Sequence, residues 1–182
     1  IKARSIPALF WFALPDGSYW SAGQGKASGN LADRSYFPAV LAGEVVLGSL
    51  VYSKATGRAS GIVAVPVVRA GAVVGVLGAS VFLEQLTELI GAQLKIEPPL
   101  LFFAVDATPL IALEWKTDFI LEDPTRLGSG SLARAVGQML AAEAGSISFH
   151  FRNRQRSLYF RRSDRLGWWF AFGVVHGGAG AR

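Results

Sequence analysis

Arg34 opens the run Arg34-Ser35-Tyr36-Phe37-Pro38, and the chemistry this run offers is anion recognition. A guanidinium at the start of a short helix, beside backbone N–H groups without helical partners, favours a small anion. Tyr52, Ser53 and Lys54, at the end of an apolar stretch, add hydroxyl donors and a second positive charge. The competing reading makes Arg34 a surface partner of Asp33 or Glu44, Lys54 a solvated turn residue, and Tyr36 or Phe37 a packing residue of the helix. Catalysis finds little support. There are two histidines, His150 among phenylalanines and His176 in a glycine-rich tail, and no cysteine. No His/Asp/Glu spacing suggests a metal site. Gly128-Ser129-Gly130-Ser131 is too short for a phosphate loop, and Asp16, Asp33 and Asp106 fall where turns and caps use aspartate.

The elements that must position these residues are legible from apolar periodicity. Residues 8–14 and 18–22 flank Pro15-Asp16-Gly17 as a hairpin. A polar, glycine-rich loop is expected over 23–30 and a short helix over 33–43. Ser35 is its candidate N-cap, Pro38 stands in its first turn, and Gly43 closes it. Strands follow at 45–52, 60–68 and 73–82, punctuated by Thr56-Gly57 and Ala70-Gly71. The last two are nearly continuous in apolar residues, which suggests burial on both faces. Leu83, Leu86, Leu89 and Ile90 then form a helical stripe.

Pro98-Pro99 stops that helix, and the order begins again. Strands are expected at 100–105 and 110–114, a helix at 131–142, and strands at 146–151, 155–161 and 168–175. This repeat of hairpin, helix and three strands implies an α+β chain of two lobes, 1–97 and 98–182. Each is an antiparallel sheet of about five strands with flanking helices. The net charge of +5 is concentrated late, in Arg152, Arg154, Arg156, Arg161, Arg162 and Arg165. Alternation with Phe149, Phe151, Leu158 and Phe160 reads as the wet face and turns of a sheet rather than a nucleic-acid surface. No apolar run reaches the roughly 18–20 residues needed to span a bilayer. The chain starts at Ile1 with no signal peptide, which reads as an excised fragment or processed chain.

Five pieces in order carry a resemblance. They are Leu14-Pro15-Asp16-Gly17-Ser18-Tyr19-Trp20, then Asn30-Leu31-Ala32-Asp33-Arg34-Ser35-Tyr36-Phe37, then Ser53-Lys54-Ala55-Thr56-Gly57, Ala64-Val65-Pro66-Val67-Val68, and Gly71-Ala72-Val73-Val74-Gly75-Val76-Leu77-Gly78-Ala79-Ser80. Together they resemble the Cache family of extracellular PAS-like sensors. Phe103-Ala104-Val105-Asp106, residues 145–151 and Gly167-Trp168-Trp169-Phe170 resemble, more loosely, the membrane-proximal lobe of double Cache modules.

The resemblance implies a membrane-distal and a membrane-proximal PAS-like lobe in the extracytoplasmic region of a histidine kinase, chemoreceptor or cyclic-dinucleotide enzyme. Transmembrane helices outside this chain would anchor the receptor, and a homodimer is expected where the family's long leading helix is present. It implies no cofactor, no nucleic-acid partner and no catalysis. It also implies a small-molecule ligand between the sheet and the covering helix of the first lobe, with Arg34 and Tyr36 at a ligand carboxylate. Tyr52, Ser53 and Lys54 would assist, and Tyr19 or Trp20 would wall the pocket; because they alternate faces, at most one can do so. Ser80 stands where amino-acid-sensing relatives often carry an aspartate for the ligand's ammonium, which favours a small carboxylate. The alternatives are an amino-acid sensor and a structural or dimerisation module with no ligand. The second lobe is expected to bind more poorly, with Arg126 as its possible substitute arginine.

Overall fold

A computed structural model describes residues 6–177. The ends of the two expected lobes, residues 1–5 and 178–182, lie outside the described residues. The chain divides into two compact units, 1–86 and 87–182. The division falls inside a helix rather than at Pro98, where the sequence suggested a break.

The first unit is a six-stranded antiparallel sheet. Its strands are β1 (Ala8–Ala13), β2 (Ser18–Ser21), β3 (Gly25–Asn30), β4 (Val46–Tyr52), β5 (Ala59–Arg69) and β6 (Ala72–Phe82). They run in the order β3-β2-β1-β6-β5-β4. The segment expected to be a loop over 23–30 is therefore partly an edge strand. β3 has no apolar alternation to betray it, because it pairs with β2 through its backbone and five of its six residues are exposed.

Helix α1 (Phe37–Leu41) is shorter than expected. Its N-cap position is Tyr36, with no side-chain cap, so Ser35 does not play that part. Pro38 is in the first turn. Gly43, at φ 96°, donates to the Val40 carbonyl and Glu44 to the Ala39 carbonyl, which is a Schellman close. α1 packs on β5 and β6, the middle of the sheet. Trp11, Ala13, Tyr19, Leu31, Tyr36, Phe37, Val40, Ile62, Ala64 and Val76 fill the space beneath it. Burial on both faces is not what β5 and β6 achieve: Leu77 and Val68 are exposed, as are Phe10 and Trp20 on neighbouring strands.

α2 (Leu83–Leu94) follows β6 directly. The second unit has five strands, β7 (Leu100–Val105), β8 (Ile111–Glu114), β9 (Ala144–Phe151), β10 (Arg154–Arg162) and β11 (Trp169–Val175). Their order, β8-β7-β11-β10-β9, repeats β2-β1-β6-β5-β4 of the first. A single 3-10 turn at Pro124–Arg126 precedes α3 (Gly130–Leu140). Ser129 caps α3 by accepting from the Leu132 N–H. α3 lies on β9, at one edge of the sheet.

Candidate functional site

In the first lobe one small pocket opens on the inner face of the sheet. It is lined by Trp11, Tyr19, Leu31, Arg34, Tyr36, Val51, Ser53, Lys54, Ala55, Ile62 and Ser80. Strand alternation explains the membership. Trp11 and Tyr19 point inward from β1 and β2, while Trp20 is 38% exposed. Val51 and Ser53 likewise face in, while Tyr52 between them faces out and is 57% exposed. Tyr52 is thus a correction to the expected site: its backbone, not its hydroxyl, takes part.

Arg34 lies in the turn before α1, where its N–H bonds to the Leu31 carbonyl. It pairs with neither Asp33 nor Glu44. Its Nη2 donates to the Tyr52 carbonyl at 2.6 Å, tying the turn to the end of β4. A five-residue helix gives little dipole, so the anion-attracting element here is the guanidinium and not the helix end. Lys54 is tied as well, donating to the Asn30 carbonyl at 2.6 Å and to both Asp33 oxygens at 2.6 and 2.7 Å. The Lys54 contact holds the Asp33 carboxyl below its ordinary range. Ser80, buried, accepts from the Trp11 indole N–H at 3.2 Å.

Burial pushes the Tyr36 hydroxyl up to about 12 and raises that of Tyr19. Both stay neutral at physiological pH and line the pocket as hydroxyl donors. The space they enclose is about 20 Å³, room for about one water. Six of the seven expected residues meet there. Trp11, Val51 and Ile62 were not foreseen; inward alternation from β1, β4 and β5 was the signal that could have found them.

The second lobe holds much more space. Beside α3, over β7 and β8 and the facing ends of β9 and β10, lies a cavity of about 680 Å³. Its wall includes Leu101, Phe103, Ile111, Phe119, Leu132, Phe149 and Phe151, with Glu114, Lys116, Arg152, Arg154 and Arg156. The larger space is thus in the lobe expected from the sequence to bind more poorly. Arg126 does not contribute: its side chain is 86% exposed and paired with Asp123 at 3.4 Å. Nor is Arg156 on the wet face. It shares the inner face of β10 with Leu158 and Phe160, and its guanidinium lies 4.9 Å from the Phe151 ring centroid. Burial lowers the pKa of Arg156 and raises that of Glu114. Among the described residues no group of His, Asp and Glu could hold a metal ion, and no helix is long and apolar enough to cross a membrane.

Neither a family model nor a curated protein matches this sequence. Solved structures do match its fold. The extracellular domain of rpHK1S-Z16, described as a histidine kinase, superposes with a TM-score of 0.73 at 14% identity, over 93% of this chain and 72% of that one. The chain shares the fold of that extracellular domain. The same fold relates it to the ligand-binding domain of the Pseudomonas aeruginosa chemoreceptor PctB, solved with L-Arg, at TM-score 0.70 and 16% identity, covering 96% of this chain and 74% of that one. The Pseudomonas fluorescens chemoreceptor CtaA, solved with L-isoleucine, gives 0.70 at 15% identity, with 92% and 68% covered. Both units here are antiparallel sheets, consistent with PAS-like lobes, that keep a helix on the inner face.

Proposed function

We propose that this chain is the extracytoplasmic sensing region of a membrane-anchored signal-transduction receptor, such as a histidine kinase or chemoreceptor, and that its first lobe binds a small carboxylate. The observation that carries the reading is the convergence of Tyr19, Arg34, Tyr36, Ser53, Lys54 and Ser80 on one inner-face pocket, in a fold whose solved examples hold small molecules. Transmembrane helices outside these residues and a homodimer belong to the same reading.

At about 20 Å³ the pocket is too small for such a ligand, so binding must enlarge it. Opening would release Arg34 from the Tyr52 carbonyl and Lys54 from Asp33, and the ligand's carboxylate would take both cations over. A sensor needs only this: two conformations and a ligand that prefers one of them.

A second reading, an α-amino acid, is favoured by the ligands of PctB and CtaA. In this lobe Arg34 would take the carboxylate and Asp33, freed from Lys54, the ammonium. The two readings part at Asp33→Ala. For a simple carboxylate that change frees Lys54 and tightens binding; for an amino acid it removes the ammonium's partner and weakens it. Titration calorimetry of acetate, succinate and a set of L-amino acids against wild type, Asp33→Ala and Arg34→Ala tests both. Arg34→Ala should weaken either ligand roughly tenfold to a hundredfold, the loss of a charge-assisted bond of about 1.5–3 kcal/mol. Unchanged affinity in Arg34→Ala sinks the site, and absence of binding by every compound leaves the ligand-free structural module.

A further inference from the structure

We propose that the inner-face cavity of the second lobe is a binding site in its own right, for an amphipathic organic acid whose carboxylate meets Arg156 and Arg152 and whose aromatic or medium-length alkyl body lies along Phe103, Phe149 and Phe151. Its volume, about 680 Å³, falls in the usual range of roughly 300–1,000 Å³ for small-molecule sites. It lies over the phenylalanine-rich face of the sheet and is open to solvent on one side, so a ligand can reach it. An acetate-sized ligand would leave most of the phenylalanine surface wet; the wall asks for an apolar body.

The charge at the cavity is one-sided. Lys116, Arg152, Arg154 and Arg156 line it with a single acid, Glu114. Glu114 accepts the Phe119 N–H at 3.2 Å and forms no ion pair among the described residues. Arg58, Arg126 and Arg162 each have a carboxylate within 4.0 Å, whereas Arg152, Arg154 and Arg156 have none among the described residues.

The two guanidiniums are also pre-positioned. Arg156 stands over Phe151 at 4.9 Å and Phe149 at 5.9 Å; Arg152 stands over Phe119 at 4.8 Å and Phe151 at 5.4 Å. Phe151 therefore has two guanidiniums within 5.4 Å of its ring centroid. Arg152 reaches this position from the first place of the β9–β10 turn, at φ 50°, a backbone region that non-glycine residues seldom occupy. A nucleic-acid backbone does not fit this geometry, because Arg156 projects onto the concave core face beside Leu158 and not onto the outer surface of the sheet.

The test is titration calorimetry of the whole chain with indole-3-acetate and octanoate, set against acetate, which lacks the body, and 3-methylindole, which lacks the charge. Both acids should bind, and both controls at least about tenfold more weakly. Arg156→Gln should weaken the acids about tenfold or more, with Arg156→Lys intermediate, because an ammonium keeps the charge but loses the fork. A circular-dichroism melt checks that each variant is folded; should Arg156→Gln not fold, Arg156→Lys carries the comparison. Three results overturn the proposal: neither acid binding at millimolar concentration, 3-methylindole binding as tightly as indole-3-acetate, or affinity for the acids unchanged in the folded Arg156 variants.

Discussion

Glu114 shows how far a single residue can be read. Burial raises its carboxyl pKa and Asp118 adds to that, while the Phe119 N–H, Arg156 and Arg152 oppose it without reversing it. The folded chain thus holds this proton more tightly than the unfolded chain, in which the carboxyl titrates near 4.5. Stability contributed at this position is present below that value and is lost as pH rises through the folded pKa. Glu114→Gln, whose amide oxygen can still accept from Phe119, should therefore melt higher than wild type at pH 7 and match it near pH 4. Thermal unfolding of both proteins between pH 4 and 8 reads this, and a gap independent of pH refutes it. The sequence made other residues legible for a reason of the same local kind. Alternation correctly separated Tyr19 from Trp20, and the same rule, applied to β4, separates Tyr52 from Ser53. Charge was harder. Arg156 has the same parity as Leu158 and Phe160, so alternation itself puts it on their face; grouping the late arginines by charge rather than by parity hid this.

Elements were legible where apolar residues recur and illegible where the backbone alone holds them. The hairpins, α2, and the three-strand run of each lobe follow their periodicity. β3 does not, since Gly25-Lys26-Ala27-Ser28-Gly29-Asn30 has no apolar face and is fixed by pairing with β2 and by its end. There Asn30 donates to the Asp16 carbonyl and accepts from the Ala32 N–H, folding the strand against the β1–β2 turn. Gly17 sits beneath this corner at φ 82°, and a Cβ on it would collide with Asn30 Oδ1 and the Ala32 nitrogen. Gly17→Ala combines left-handed strain with a backbone clash, so it should cost at least about 2 kcal/mol, or roughly 4–8 °C of Tm. Gly137, in the middle of α3, has open space where its Cβ would be. Gly137→Ala should instead stabilise by about 0.5–1 kcal/mol. Differential scanning calorimetry on the pair checks the contrast; a Gly17→Ala protein as stable as wild type would show that the corner does not hold the edge strand. The position of the covering helix was the element-level feature that no sequence pattern revealed. α1 contacts β5 and β6, whereas α3 contacts β9; the first lobe is nearly filled and the second holds about 680 Å³.

At the scale of the whole molecule the repeated strand order means that each unit carries its own concave face, and the two faces differ in chemistry. One is nearly filled and carries Arg34, Lys54 and two neutral tyrosines; the other is roomy, phenylalanine-rich and lined by four cations. Ligands should therefore be sorted by lobe. A ligand at a hundred times its Kd adds about 2.7 kcal/mol to whatever unit it binds. In native-state hydrogen exchange, that energy slows amides whose opening exposes the site. Indole-3-acetate should slow exchange in β7, β9, β10 and the segment 115–129, leaving β1, β5 and 31–37 at their free rates. The first-lobe ligand, carboxylate or amino acid, should do the reverse. The same sorting should hold under mutation: Arg156→Gln should abolish the slowing in β9 and β10, and Arg34→Ala that in β1 and β5. If indole-3-acetate slows β1 and β5 instead, the acid is binding the first lobe after opening it, and the second cavity loses its assigned ligand. A small carboxylate that slows only β9 and β10 removes the first lobe from the sensing role while leaving the shared fold untouched.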